Sequence, residues 1–347
     1  MPIIDQGYQH WSGQLSGHAW RWLAIARNGI RVGMKESKVR ILLLFAWTPA
    51  VALAAVLCLW GLIERNSASF RPFLEFLSHF GFGPEVLTDP RSVRVEFWTI
   101  CYSTFMDIEQ FAAMVLVLLV GRQLIGQDLR FNAMPLYFSR PLRRSDYFLG
   151  KLAVIGGFLG MVIIVPAVVA YILGLAFSLD ITILRDTFPL LLSVIAYGLV
   201  ITISAGTLIL AVSSLSRSSR IVGLIWIGLW FVTNVTAAKL NTAYLMEQSE
   251  FGQGRSGFVE ARLSETNWRP IVSYTTDLAR VGQQLLGTDT CWRKLADRQS
   301  PAGHDMFLMM FLGPQYPWYW SAAVLAGLLL VSAWILHTRV RSMDRLK

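Results

Sequence analysis

The feature that most constrains this chain is a series of long apolar runs without charged residues. The hydrocarbon core of a bilayer is about 30 Å thick, so a helix needs roughly 20 apolar residues to cross it. Five runs contain no Lys, Arg, Asp or Glu: residues 41–63, 152–179, 187–216, 221–238 and 317–338. Runs of this length predict helices that span a membrane.

A sixth run, residues 97–121, is long enough to span although it contains Asp107 and Glu109. The whole chain is 54% apolar and only 15% charged, against about 25% charged residues in soluble domains. We therefore predict an all-α polytopic membrane protein with six transmembrane helices. Residues 1–347 are expected to form a single transmembrane domain.

The basic residues are concentrated on one side of this predicted topology. Of the 31 Lys and Arg residues, 18 lie in the segments 1–40, 122–151, 214–220 and 339–347, which contain only five acidic residues. Because cytoplasmic loops carry an excess of Lys and Arg, both termini are predicted to be cytoplasmic. The net charge of +9 then reflects topology in the inner (plasma) membrane, and no nucleic-acid partner is expected.

The segments outside the predicted spans suggest two further features. Residues 18–40 place an apolar arc beside basic residues, which is typical of a helix lying in the membrane interface and contacting the lipid bilayer. Residues 239–316 are predicted to form an extended external segment. Within it, residues 273–286 are expected to be helical, with Asp277 in the first turn and Gly287 after the end.

Motifs for catalysis and for cofactors are missing from the sequence. It contains no H-E-x-x-H, G-x-S-x-G or G-x-x-x-x-G-K-[ST] pattern, so the chain is not expected to be an enzyme or to hydrolyse ATP itself. Cys58, Cys101 and Cys291 lack metal-ligand spacing, so no bound metal or other cofactor is expected. A disulfide between Cys101, near the outer end of the second span, and Cys291, in the external segment, stays open.

Asp107 and Glu109 are the only acidic residues inside a predicted span. Their i, i+2 spacing puts them on different faces of a helix. One interpretation is a polar lining or ion-coupling position in the substrate pathway, because acids at membrane depth are commonly functional. The alternative is a position near the interface, solvated or paired with an external arginine such as Arg94.

Trp226 and Trp230 lie one helical turn apart in the fifth predicted span. Such a pair could line a cavity for an apolar substrate. Packing in the core or against lipid is the favoured interpretation, since aromatic residues at this spacing are common on packed helix faces.

The predicted cytoplasmic loop between the second and third spans carries the most specific pattern. An acid-base pair, Asp128 and Arg130, precedes the run Ser-Arg-Pro-Leu-Arg-Arg at residues 139–144, and Gly150-Lys151 opens the next helix. This pattern resembles the first cytoplasmic loop of ABC-2-type transporter permeases. The short turn with Arg217 and Arg220 resembles the second cytoplasmic turn of that family.

The resemblance implies a transporter subunit. Two such permease subunits would pair as a homodimer or heterodimer, and separate ATP-binding subunits carrying ATP and Mg²⁺ would dock on their cytoplasmic loops. The permease would then work as an exporter driven by ATP hydrolysis on the partner. The coupling residues implied are Asp128, Arg130, Arg140, Pro141, Arg143, Arg144, Lys151, Arg217 and Arg220.

Alternatives stay open for these basic residues and for the whole chain. The arginines and Lys151 could serve only to anchor the helices at anionic lipid and to fix their orientation. The whole chain could instead be a non-transporting scaffold that recruits an external partner through residues 239–316. An intramembrane enzyme using Asp107 and Glu109 is the weakest reading, because no nucleophile or metal set accompanies them.

Overall fold

The described part of the chain is built from helices. The computed structural model describes residues 20–65, 67–78, 82–83, 85–133, 137, 143–178, 180–251, 266–299, 301–313 and 315–343. Its α-helices are Arg21–Gly33, Ser37–Arg65, Arg71–Leu77, Glu85–Thr88, Arg94–Leu124, Gly126–Arg130, Arg144–Leu159, Val165–Ser178, Ile181–Leu215, Ser219–Ile227, Thr233–Phe251, Tyr274–Leu286, Thr288–Ala296, Pro301–Phe311 and Trp318–Met343. Short 3₁₀ helices cover Ser67–Phe70, Pro90–Val93 and Arg269–Val272.

Six of these helical stretches are long and apolar enough to cross a membrane, which confirms the predicted fold class. The first to sixth spans are Ser37–Arg65, Pro90–Arg130, Ser145–Ser178, Ile181–Leu215, Ser219–Tyr244 and Trp318–Arg339. Most extend beyond the predicted apolar runs, because a helix continues into polar sequence past the hydrocarbon core. We call the end near Arg40, Arg122 and Arg220 the basic end and the opposite end the distal end.

The third and fifth spans each contain one π-helical segment, Gly160–Ile164 and Gly228–Val232. In the third span, Pro166 closely follows this segment and has no N–H to donate to the carbonyl four residues back, as an α-helix requires. The Val165 N–H instead bonds to the Gly160 carbonyl, five residues back. Such widened turns occur often at functional sites.

The N-terminal helix differs from the predicted interfacial helix 18–40. It covers Arg21–Gly33, and Ser37–Arg40 already belong to the first span. One face packs closely on the third span, where glycines at positions 29 and 157 allow the two backbones to approach. The other face exposes Trp20 and Leu23 beside exposed arginines, so an interfacial position for this face stays a prediction.

The segment predicted to be wholly external is partly inside the bundle. Its helix Tyr274–Leu286 has the predicted termini, with the Ser273 hydroxyl accepting from the Thr276 N–H and Gly287 left-handed at φ 69°. However, the Gln110 side chain, halfway along the second span, donates to the Thr275 carbonyl at 2.8 Å. We therefore call Tyr274–Leu286 the re-entrant helix. The fifth-span helix also continues through Phe251, so residues 239–251 are a helical extension.

Polar contacts inside the bundle explain why the re-entrant helix is not at the surface. The Tyr274 hydroxyl lies 3.0 Å from the hydroxyl of Ser204 in the fourth span. Nearer the distal end, the Asp277 carboxylate accepts hydrogen bonds from Ser321 at 2.6 Å and Tyr316 at 3.2 Å. In sequence, the polar face of the re-entrant helix resembles a face exposed to solvent. In the structure, Ser204, Ser321 and Tyr316 supply hydrogen-bond partners for that face inside the bundle.

Gly282 sets how closely the re-entrant helix approaches the fourth span. A methyl group at this position would overlap the phenol ring of Tyr197. We expect Gly282→Ala to lower the free energy of unfolding by about 1–3 kcal/mol, the usual cost of overpacking. Thermal unfolding in detergent, followed by tryptophan fluorescence, measures the change.

Gly327→Ala in the sixth span is the matched control, since a methyl group there meets nothing within 4 Å. Alanine favours a helix over glycine by about 1 kcal/mol, so this variant should be neutral or more stable. Equal behaviour of the two variants would contradict the close approach at Gly282.

Candidate coupling site at the basic end

The second span is joined to the fourth span where it reaches the basic end. The helix Arg94–Leu124 ends at Ile125, and the short helix Gly126–Arg130 starts in a new direction. The hydroxyl of Ser213, near the end of the fourth span, accepts hydrogen bonds from the N–H groups of Ile125 at 3.3 Å and Gly126 at 3.0 Å. These bonds satisfy backbone donors at the helix break and join the end of the second span to the end of the fourth span.

An ion pair closes the long loop between the second and third spans. The Lys151 ammonium lies 2.6 Å from the Asp128 carboxylate, and the side chains are only 10% and 15% exposed. The Tyr147 hydroxyl donates to the same carboxylate oxygen at 2.7 Å. We call Asp128, Tyr147 and Lys151 the loop clamp, because they join the start of the loop to the start of the third span.

Aromatic rings cover the ammonium group of the loop clamp. The Lys151 nitrogen lies 5.8 Å from the centre of the Tyr137 ring and 5.4 Å from that of Tyr147. The two rings contact each other edge to face at 5.3 Å. Both cation–ring distances are within the range of a favourable interaction. The Lys151 ammonium is therefore enclosed by Asp128 and the two tyrosine rings.

The third span begins with a capped helix. The Asp146 carboxylate accepts a hydrogen bond from the Arg143 N–H at 3.1 Å. This returns the chain into a helix that begins at Arg144, and it places a negative charge at the positive end of the helix dipole.

A cavity adjoins the loop clamp and the N-terminal helix. Its volume is about 240 Å³, and Asn28, Gly29, Leu124, Tyr137 and Lys151 contribute to its lining. The N-terminal helix thus forms a wall beside the loop clamp, in contact with the third span. A displacement of the loop between the second and third spans would therefore also displace the N-terminal helix.

The predicted coupling residues divide into two groups. Asp128 and Lys151 bond to each other, whereas Arg130, Arg143, Arg217 and Arg220 have exposed side chains at the basic end. Arg144 is the first residue of its helix, and only its backbone is described. Arg140 and Pro141 lie outside the described residues. Sequence reasoning did not identify Ser213 as a residue that joins the second and fourth spans. The only indication in the sequence is a hydroxyl side chain at the end of an apolar run.

The predicted pathway residues occupy different environments. Asp107 is exposed, whereas Glu109 is fully buried, so the two acids lie on different faces and do not form one catalytic pair. Trp226 is fully buried, and its N–H donates to the Met114 carbonyl at 3.0 Å. Trp230 is 8% exposed and packs edge to face on Phe111. Both tryptophans are thus packed against the second span.

A buried charge cluster lies at the distal end, and the sequence did not predict it. The Arg94 guanidinium is 2% exposed and forms a bidentate pair with Glu64, with both distances 2.7 Å. It also bonds to Asp180 at 3.1 Å and Asp186 at 3.2 Å. Arg94 is therefore not paired with Asp107 or Glu109, so the alternative of a pairing with this external arginine does not hold. We call these four residues the distal cluster.

One carboxylate of the distal cluster, Asp180, keeps its charge into acidic solution. Hydrogen bonds from the Thr182 backbone and side chain, together with the Arg94 guanidinium, lower the pKa of Asp180 from 3.8 to about 2. A carboxyl with a lowered pKa in the folded state stabilises the fold above its usual pKa. This contribution is lost only as the pH falls from about 4 towards 2.

The cysteines and other metal-binding side chains form no site in the described part of the chain. Cys58, Cys101 and Cys291 are free thiols, so Cys101 and Cys291 are not joined. The Cys291 thiol instead approaches the Glu96 carbonyl at 3.6 Å. No group of three or more His, Cys, Asp or Glu among the described residues is placed to hold a metal ion.

Comparison with known proteins agrees with this architecture. A family model described as ABC-2 family transporter protein matches residues 23–335. The matched region begins in the N-terminal helix and ends in the sixth span, so it includes the loop clamp, the distal cluster and the re-entrant helix. No curated protein matches the sequence significantly.

Proposed function

The chain belongs to the ABC-2 family of transporter proteins, and we propose that it is a permease subunit driven by a separate ATP-binding subunit. In this proposal ATP and Mg²⁺ bind to the partner, and this chain binds no cofactor. Two permease subunits, identical or different, enclose the substrate path. The chain lies in the inner (plasma) membrane with its basic end on the cytoplasmic side, and substrate is exported.

The loop between the second and third spans is the proposed docking element. Exposed arginines lie at both inner loops, with Arg130 and Arg143 on the first and Arg217 and Arg220 on the second. Guanidinium groups make strong hydrogen bonds to carboxylates, so an acidic groove on the ATP-binding subunit would suit them. Lipid phosphates could also bind these arginines, so the clamped loop supplies the stronger argument.

The loop clamp is the observation that carries the proposal. A loop that only fixes orientation needs positive charges but no internal bracing. Here a buried ion pair joins Asp128 to Lys151, and Ser213 joins the same loop to the fourth span. A push on the loop would therefore reach the second, third and fourth spans together. This is the property required of an element that transmits movement from a motor.

Co-purification tests the proposal directly. The chain is extracted from its native membrane in mild detergent, as wild type and with Arg140, Arg143 and Arg144 changed to Glu. We expect a stoichiometric ATP-binding protein with the wild type and at least about tenfold less with the variant, since one charge-assisted hydrogen bond contributes about 1.5 kcal/mol. Mass spectrometry of the eluate identifies and counts the partner.

A matched variant controls for the change in charge. Arg65, Arg71 and Lys239 have exposed side chains toward the distal end, and changing these three to Glu alters the net charge equally. This variant should keep the ATP-binding protein. Extraction of intact wild-type chain without such a protein would contradict the proposal, as would equal loss in both variants.

The scaffold alternative depends on residues 239–316 being free to bind an external partner. The re-entrant helix is instead packed among the spans, with Asp277 and Tyr274 buried. This leaves less of the segment for recruitment. Measured transport, or nucleotide turnover by the associated protein, would favour the permease over the scaffold.

A further inference from the structure

Glu109 is the most unusual ionisable group in the membrane-spanning region. It lies near the middle of the helix Arg94–Leu124, and its side chain is 0% exposed. Neither of its carboxylate oxygens has a hydrogen-bond partner among the described residues. An ionised carboxylate without a partner in an apolar interior would cost several kcal/mol. Such a group is expected to be neutral or to bind a cation.

The sequence contains no basic side chain at this depth that could pair with Glu109. Residues 41–63, 97–121, 152–179, 187–216, 221–238 and 318–336 contain no Lys, Arg or His. The re-entrant helix adds Arg280, which bonds to Asp289 at 2.8 Å and to the Tyr316 carbonyl at 3.1 Å. A proton is therefore the simplest positive charge that could neutralise Glu109.

No described ionisable group on the elements packed against the second span is hydrogen-bonded to Glu109. The tyrosine hydroxyls bond elsewhere: Tyr102 to Ala167, Tyr171 to Thr187, Tyr197 to Gln110 and Tyr274 to Ser204. These elements also carry Cys58, Cys101, Asp107, Asp277, Arg280, Asp289, Cys291, Arg293 and Lys294. Their two ends carry further charged residues, among them Lys38, Arg40, Glu64, Arg65, Arg91, Arg94, Glu96, Arg122, Asp128, Arg130, Asp146, Lys151, Arg185, Asp186 and Arg220. None of them is hydrogen-bonded to Glu109.

Glu109 also lies at the level of a widened helical turn. The Tyr102 hydroxyl donates to the Ala167 carbonyl, which fixes the register of the antiparallel second and third spans. Seven residues toward the basic end, this register places Glu109 opposite Gly160, the first residue of the π-helical segment. Gly160 is only partly buried, and a methyl group there would meet nothing within 4 Å, so this turn borders open space and is not tightly packed on all sides.

We propose that Glu109 is a proton-binding site within the bundle. In the packed arrangement of the spans it holds one proton as a neutral carboxylic acid, and it releases that proton when the helices part and water enters. Repacking at the π-helical segment is the step that would expose it. The bound proton in the packed state does not depend on which partner drives the chain.

Infrared spectroscopy can detect this proton directly. The full-length chain is placed in lipid nanodiscs at pH 7.5, and the spectrum of Glu109→Gln is subtracted from that of the wild type. We expect the carbonyl band of one protonated carboxylic acid. Carboxylate bands in its place would overturn the proposal. Glu85→Gln is the matched control, because Glu85 is 65% exposed and should lose carboxylate bands.

The pH dependence of stability provides a second measurement. An unfolded glutamate ionises above about pH 4.3, whereas folded Glu109 would keep its proton, so the wild type loses stability as the pH rises. Relative to Glu109→Gln, its folding equilibrium constant should fall up to tenfold per pH unit between pH 5 and 7. A ratio that does not change with pH would overturn the proposal, including the case of an ionised Glu109 bound to another cation.

Discussion

Replacing Arg94 with methionine is expected to lower the free energy of unfolding by about 3–5 kcal/mol. The guanidinium is 2% exposed and contacts three carboxylates, and the Glu64 side chain is itself 1% exposed. Methionine keeps much of the apolar length but supplies no charge. Glu64 would then remain buried, with the Trp60 N–H at 2.7 Å as a neutral partner.

The loss should be large because the distal cluster joins separate parts of the bundle. Glu64 ends the first span, Arg94 begins a helix of the second span, and Asp180 and Asp186 lie at the start of the fourth. Removing one partner of a buried pair leaves the other charge without compensation, which costs more than the pair contributes. Chemical unfolding in detergent, followed by tryptophan fluorescence, measures the change.

Arg71→Met is the matched control for Arg94→Met. Arg71 is 77% exposed and lies 3.8 Å from Glu75 on the same helix, a geometry that contributes less than about 1 kcal/mol. Arg94→Lys should be intermediate, because lysine restores the charge but not the bidentate geometry. A loss below 1 kcal/mol for Arg94→Met would show that the distal cluster does not hold the spans together.

The six spans could be predicted from sequence because their signal is local. Length, apolarity and missing charge identify a crossing helix without reference to any other part of the chain. The termini of the re-entrant helix were predictable for the same reason, since the Ser273 cap and Gly287 are local signals. Its position was not, because it depends on distant contacts such as the hydrogen bond that the Asp277 Oδ1 accepts from Ser321, 44 residues away in sequence.

The candidate site shows the same limit. Sequence reasoning identified Asp128 and Lys151 by their place in the loop, but it grouped them with the arginines as partner contacts. Their mutual ion pair spans 23 positions and depends on how the chain folds back. The distal cluster was missed because Glu64 and Arg94 are separated by 30 positions, and each resembles an ordinary polar residue at the end of a span.

The loop clamp can be distinguished from a direct partner contact by a double-mutant cycle. Lys151→Met leaves the Asp128 carboxylate 15% exposed and without its cation, and Asp128→Asn leaves the Lys151 ammonium 10% exposed and without its anion. Each single change is expected to destabilise the chain by about 3–5 kcal/mol, because one buried charge is left unpaired. The double variant leaves neither charge unpaired, so it should lose less than either single variant, which requires a coupling energy larger than one of the single losses.

Partner recovery in the same variants separates bracing from contact. If Asp128 and Lys151 only position the loop, the double variant should regain both stability and the ATP-binding protein relative to the single variants, because the exposed arginines are intact. If the two residues touch the partner, the double variant should lose the protein even where stability returns. Additive losses in stability would instead show that the ion pair does not close the loop, so that a push on the loop would not reach the three spans together.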